Sequence, residues 1–194
     1  DDAEEAEDSV DVNEVQLTTD GEAYFSYMAN SSGRGVNDVD KEEEWAKRQR
    51  AALSWSHDSN KFALVRSDQR EVGMLFVIHN TGHDRQEVES YKYDMPGEED
   101  VTQQAIHVFD FADMEMTTID DDPWKDQSMS VVSERTFVYP DDTNPRLNRW
   151  FTENPNELWF IRESRDRHRI DLMKADLTTG AVTPVVEERL NTYQ

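Results

Sequence analysis

One pattern occurs twice in this chain, and it limits the fold more than any other feature. Trp55 precedes a polar turn and the apolar run Lys61-Phe-Ala-Leu-Val-Arg66. Trp150 precedes another polar turn and the run Glu157-Leu-Trp-Phe-Ile-Arg162. A further strand is expected after each run, Met74 to His79 in the first copy and Ile170 to Ala175 in the second. Each copy then has an Asp-led hairpin. Asp110-Phe-Ala-Asp113 joins Ile106–Phe109 to Glu115–Ile119, and Asp176-Leu-Thr-Thr-Gly180 joins Ile170–Ala175 to Ala181–Val186. Gly180 supplies the positive φ that such a turn requires. Repeats of this kind bury their apolar faces by stacking on one another. Strand, turn, strand, strand, hairpin, strand is the order of a four-stranded propeller blade.

The expected fold is therefore all-β. It has about two whole propeller blades, residues 50–121 and 130–190, plus part of a preceding one. The copies differ by an excursion from Asn80 to Gln104, which carries Met95-Pro96-Gly97. Val131 to Val138 reads as a strand before Pro140. Upstream, Glu14–Thr18 and Ala23–Tyr27 alternate around Thr19-Asp20-Gly21, a hairpin signal. Residues 1–12 read as an acidic tail ahead of a partial propeller over 13–194. One short helix is expected between Val39 and Arg50, where acids precede bases among good helix formers.

A small apolar share, 36 %, suits a core divided into thin layers. The formal charge is −23, and such a field repels phosphate backbones and anionic lipid. Nucleic acid is not an expected partner. Arg outnumbers Lys, which fits either a salt-adapted surface or an ordinary acidic secreted protein. There are no cysteines, so disulfides, thiolate metal sites and thiol nucleophiles are excluded. No apolar run approaches the ~20 residues of a membrane-spanning helix.

Several clusters invite a chemical reading and favour a simpler one. Ser56-His57-Asp58 are adjacent on one turn, whereas a catalytic triad converges from separate elements. No G-x-S-x-G elbow occurs among the seven glycines. His79 and His83 flank a loop rather than sharing a helix face, so no metal is assigned to them. Asp120-Asp121-Asp122 and Asp141-Asp142 lack the spacing of a calcium loop. Asn30-Ser31-Ser32 is a glycosylation sequon that would matter only in a eukaryotic secreted protein. Trp45, Trp55, Trp124, Trp150 and Trp159 are assigned to blade cores, with Trp55 and Trp150 in equivalent places. No cofactor, metal or catalytic residue is expected in the chain.

Three segments in a fixed order carry a resemblance. They are the strand entry Trp55 to Ala63 (W-S-H-D-S-N-K-F-A), the stretch Arg66 to Val72 (R-S-D-Q-R-E-V) and Tyr91 to Glu98 (Y-K-Y-D-M-P-G-E). Together they resemble the N-terminal β-propeller region of dipeptidyl-peptidase-IV-like enzymes, in the prolyl oligopeptidase family. The resemblance implies the non-catalytic part of a serine exopeptidase, gating access and anchoring the peptide's N-terminus. It implies a peptide substrate, a C-terminal α/β-hydrolase domain in the parent protein, and a periplasmic or secreted location. A homo-oligomer is compatible with it. In such enzymes a pair of glutamates on a short helix, shortly before a W-S strand entry, holds the substrate's free α-amino group. Here Glu42-Glu43-Glu44 precede Trp55-Ser56 in that way, and Glu43 and Glu44 are the assigned pair. The spacing to Trp55 is slightly longer than in the family, which leaves open which two of the three act. Carboxylates suit the task because an ammonium needs charge-assisted acceptors. The competing assignment for Glu42–Glu44 is an acidic first helical turn, favourable to the helix dipole. The alternative for the whole chain is a stand-alone β-propeller serving as a protein-interaction scaffold.

Overall fold

The run Phe62-Ala-Leu-Val65 is apolar on both faces, and the stretch Lys61–Asp68 that contains it is the central strand of the first sheet. The computed structural model describes residues 14–27, 51–81, 85–119, 124, 126–135 and 148–190. Those residues are all-β, with no helix among them. In chain order the strands begin with β1 (Phe25–Ser26), β2 (Ser54–Trp55), β3 (Lys61–Asp68), β4 (Met74–His79) and β5 (Glu87–Lys92). Next come β6 (Gln103–Asp110), β7 (Met116–Ile119), β8 (Ser128–Val131), β9 (Ser133–Arg135) and β10 (Asn148–Trp150). The last three are β11 (Glu157–Glu163), β12 (Arg169–Asp176) and β13 (Val182–Arg189).

The first sheet runs β7-β6-β3-β2-β10-β9, and β1 also pairs with β3. The second runs β13-β12-β11-β8, four antiparallel strands in which β11 to β13 form a meander and β8 joins β11 after the chain has passed through β9 and β10 of the first sheet. β4 and β5 pair only with each other. The Asp-led hairpins fall where the sequence puts them, joining β6 to β7 and β12 to β13. Asp110 Oδ1 accepts the Ala112 amide at 2.9 Å, and Asp176 Oδ1 accepts those of Thr178 at 2.8 Å and Thr179 at 3.1 Å. Gly180 has φ 74° as required.

Four expectations need correction. Met74–His79 is not the counterpart of Ile170–Ala175. β3 pairs with β6 in full register from Lys61↔Asp110 to Asp68↔Gln103, so β6 is the counterpart of β12. β4 and β5 are an inserted hairpin, and the excursion starts just after Asp68 rather than at Asn80. The apolar run of β4 misled because periodicity alone does not say which partner a strand takes. Second, Glu14–Thr18 forms no strand; β1 instead pairs with the far end of β3 through Phe25↔Asp68 and Ser26↔Ser67. Third, the strand expected from Val131 is split into β8 and β9 around Val132, because β8 pairs with β11 while β9 pairs with β10. Fourth, Trp55 and Trp150 are not equivalent. Trp55 lies beside β3, but β10 leaves β11 and runs parallel to β2 through Arg149↔Trp55. The expected helix, Trp45 and residues 136–147 lie outside the described residues.

The two sheets share one core. Ala63, Ile106, Val108 and Ile119 of the first meet Met129, Leu158, Phe160, Met173 and Ala175 of the second, with Trp150 fully buried among them. The Trp150 indole donates to Ser54 O at 2.9 Å, which satisfies its one polar atom. The first sheet buries its other face too. Phe62, Leu64 and Phe109 pack there with Tyr27, Ala51, Leu53 and Trp55, and the Phe62 and Phe109 rings stack at 5.1 Å. The second sheet buries one face only, and β13 is exposed over most of its length. The first sheet is thus a middle layer and the second an outer one.

Candidate functional site

Two polar turns with the same chemistry enter the central strand pairs. In Ser56-His57-Asp58, the Ser56 hydroxyl donates to Asp58 at 2.6 Å and accepts the Lys61 amide at 2.9 Å. In Ser164-Arg165-Asp166, the Ser164 hydroxyl donates to Asp166 at 2.5 Å and accepts the Arg169 amide at 3.1 Å. Ser59 and Arg167, each just after the aspartate, have φ 59° and 58°. This is local side-chain capping of a tight turn. Those serine bonds hold the Asp58 and Asp166 carboxyls below the usual range. Ser56 is fully buried in its own turn, so it offers no nucleophile to solvent.

The middle residue of each turn reaches away to another part of the molecule. His57 Nε2 bonds Trp150 O at 2.9 Å. Arg165 donates from its two terminal nitrogens to Glu98 O at 2.7 Å and Met95 O at 2.5 Å. Those carbonyls belong to the turn Met95-Pro96-Gly97-Glu98, in which Pro precedes Gly97 at φ 88° and Glu98 N bonds Met95 O at 3.3 Å. That is the residue pattern of a type II turn. Arg165 also lies 3.8 Å from Asp126, which accepts from Gln103 Nε2 at 2.8 Å. Arg165 lines a cleft of about 910 Å³. Asp94, Pro96, Gly97 and Val101 form one wall, Glu163 to Arg167 with Arg169 the other, and Trp124 and Ser128 also line it.

Behind the cleft lies a buried ion cluster. Asp171 is fully buried and accepts from Arg162 at 2.8 and 3.0 Å and from Arg189. Burial pushes its carboxyl up, but the bonds from Arg189 and Arg162 outweigh burial and hold it below the usual carboxylate range. The Trp124 ring faces three guanidiniums, with Arg162 nearest at 4.6 Å. The first sheet has a looser version. Buried Arg66 bonds Asp20 at 2.8 Å and lies 3.5 Å over the Phe25 ring. Beside it Tyr27 bonds His107 Nδ1. Burial, then the charge of Arg66, pushes His107 below its ordinary value.

Glu42, Glu43 and Glu44 lie outside the described residues, as do Asn30, His83, Asp120–Asp122 and Asp141–Asp142. His79 ends β4 and meets Glu89 at 2.9 Å across the hairpin. Trp55 and Trp150 pack in cores as expected, and Trp159 is half-buried with its indole bonded to Glu157 at 2.6 Å. Trp124 departs from that assignment, since it faces arginines at the cleft. Arg165, Asp171 and Arg189 were not singled out by the sequence reading. The recurrence of Ser-x-Asp before Lys61 and before Arg169 was the available signal for the first.

A family model described as the dipeptidyl peptidase IV (DPP IV) N-terminal region matches residues 5–194. Among solved structures the chain resembles Porphyromonas gingivalis dipeptidyl peptidase 4, with 20% identity and a TM-score of 0.60. That match covers 92% of this chain and 22% of the other. It also resembles a putative dipeptidyl aminopeptidase IV from Bacteroides ovatus, with 18% identity and a TM-score of 0.54 over 75% of this chain and 18% of that one. The chain therefore spans about a fifth of the length of these structures.

Proposed function

The chain belongs to the dipeptidyl peptidase IV N-terminal region family, and from that premise we propose that it is the non-catalytic β-propeller portion of a dipeptidyl-peptidase-IV-like serine exopeptidase. Two propeller blades are read over residues 50–121 and 130–190, with β9 and β10 of the second range joining the first sheet, and residues 1–12 as a tail. The observation that carries this reading is the family match over nearly the whole chain. The shape of the second sheet supports it. Its outer face carries Trp159, Ile161, Leu172 and Val186, and Ile161 and Val186 are exposed there. A further blade would cover that face in a closed ring.

In this reading the catalytic Ser, Asp and His belong to an α/β-hydrolase domain of the parent protein. The propeller gates access to that domain and anchors the peptide's N-terminus through Glu43 and Glu44. The protein is placed in the periplasm or secreted. Among the described residues no helix is long and apolar enough to cross a membrane. A homo-oligomer is the last element of the reading. The β4–β5 face bearing Met74, Phe76, Ile78, Val88, Ser90 and Lys92 holds no acid in a chain of charge −23, which removes charge repulsion from that contact.

The test is Glu43→Gln or Glu44→Gln in the longer protein. Each should cost about 1.5–3 kcal/mol of transition-state binding through a lost charged hydrogen bond. The expected loss is roughly ten- to hundredfold in kcat/KM for substrates with a free amine, and far less for N-blocked ones. Equal losses on both substrates, or none on either, would end the amine-anchor role.

A further inference from the structure

We propose that Arg165 is a latch that holds the Met95–Glu98 turn, in the loop that follows the β4–β5 arm, against the second sheet and sets the width of the cleft between them. The arm is one local unit. β4 and β5 pair only with each other, and Lys92 Nζ ties the arm's base to Val72 O at 2.6 Å and Arg70 O at 3.0 Å. The loop that returns the chain to β6 is closed on itself. Asp94 Oδ1 accepts both the Thr102 amide at 2.9 Å and the Thr102 hydroxyl at 3.0 Å. The Met95–Glu98 turn therefore keeps its shape without help from the second sheet.

What ties that turn to the second sheet is the Arg165 fork. Its two bonds end on the two carbonyls of a single turn, spaced as a planar guanidinium requires. Asp126, 3.8 Å away, steadies the fork and is itself held by Gln103 next to the start of β6. Val101 is buried, so the loop has a fixed pivot beside a free turn. One side chain thus spans both walls of a cleft of about 910 Å³. Without the fork, the turn swings on the Val101 pivot and the cleft widens, while the arm's base stays tied by Lys92.

Lysine cannot replace the fork, because an ammonium is a point charge that does not hold two carbonyls in one plane. Loss of a charge-assisted bond is worth at least about tenfold in the latched-to-open ratio. The chain has no cysteine, so a distance across the cleft can be read cleanly. Spin labels would be placed at Glu99→Cys and Arg167→Cys and measured by double electron–electron resonance, with circular dichroism confirming the β-fold. One narrow distance is expected with Arg165 present. Arg165→Ala and Arg165→Lys should both raise a longer-distance population by roughly tenfold. An unchanged distribution in the folded Arg165→Lys variant would overturn the latch, even if Arg165→Ala failed to fold. So would a distribution already broad with Arg165 in place. The proposal does not depend on the peptidase reading, and its result leaves the glutamate test unaffected.

Discussion

The central strands β3 and β11 each carry a buried arginine at the same repeat position, Arg66 and Arg162, yet the molecule neutralises them differently. Arg162 meets Asp171 on the adjacent strand, fully buried, with Arg189 on the carboxylate's other side and Trp124 over the guanidinium. Arg66 meets Asp20, which is 60% exposed and comes from a segment ahead of the sheet, with Phe25 over the guanidinium. The middle sheet borrows its counter-charge from outside, whereas the outer sheet contains its own. Asp171 sits directly across from Arg162, on the same face as Phe160 and Met173, so this counter-charge is built into the strand pairing itself.

That contrast is broken hardest at Asp171. Asp171→Asn keeps the shape but leaves Arg162 and Arg189 without their shared carboxylate. Removing one partner of a buried ion pair costs about 3–5 kcal/mol. Urea unfolding of the variant should show a loss of that size. A loss under 1 kcal/mol would mean that solvent already reaches the cluster. Arg162 and Arg189 are expected to respond together, since they share one carboxylate and cannot be additive.

The repeat made this comparison legible, but only in part. The apolar runs of Lys61–Arg66 and Glu157–Arg162 report strands buried in a sheet, and those strands and their Asp-led hairpins stand where the sequence puts them. Partner choice is not written in alternation. Met74–His79 looks like a blade strand because its residues suit any pleated surface, and only the full register of β3 with β6 rules it out. The ion cluster was hidden for a related reason. Arg162, Asp171 and Arg189 lie on three neighbouring strands, so no local spacing unites them. Arg165 carries a local signal, the Ser-x-Asp turn, but its target lies in a different repeat. The glutamates assigned to the substrate amine rest on a resemblance alone, because they fall outside the described residues.

Acid should separate the two sheets next. His107, on the first sheet's second buried face, is held below its ordinary value by burial and by Arg66, with Asp20 opposing. A depressed folded-state value means that the unfolded chain binds the extra proton. The stabilisation is therefore complete above about pH 6.5, the unfolded value, and is lost as pH falls through the folded one. Within that window the slope can approach one proton, about 1.4 kcal/mol per pH unit. Asp171 also has a depressed value, so its contribution is complete above about pH 3.9, the unfolded carboxylate value, and is lost only below it. Unfolding midpoints measured from pH 7.5 to 5 should decline, and His107→Gln should flatten that part of the decline. If the slope is unchanged in His107→Gln, the protons are taken up elsewhere and the buried imidazole is not the sensor.

The smallest effect belongs to the borrowed partner. Asp20 is exposed, and the Arg66 bond holds its carboxyl below the usual range. Exposed ion pairs are typically worth about 0.2–1 kcal/mol and weaken with salt. Arg66 also keeps a second bond to Asp20 O and its place over Phe25 when the carboxylate is removed. Asp20→Asn should therefore cost far less than Asp171→Asn in low salt, and the cost should shrink in high salt. Asp171→Asn should keep most of its penalty in high salt, because screening is weak at buried Asp171 and Arg162 and reaches only the Arg189 side of the cluster. A salt-insensitive loss at Asp20 as large as that at Asp171 would erase the distinction between borrowed and contained counter-charge. Arg66 would then have to be regarded as buried with its partner, in the same way as Arg162.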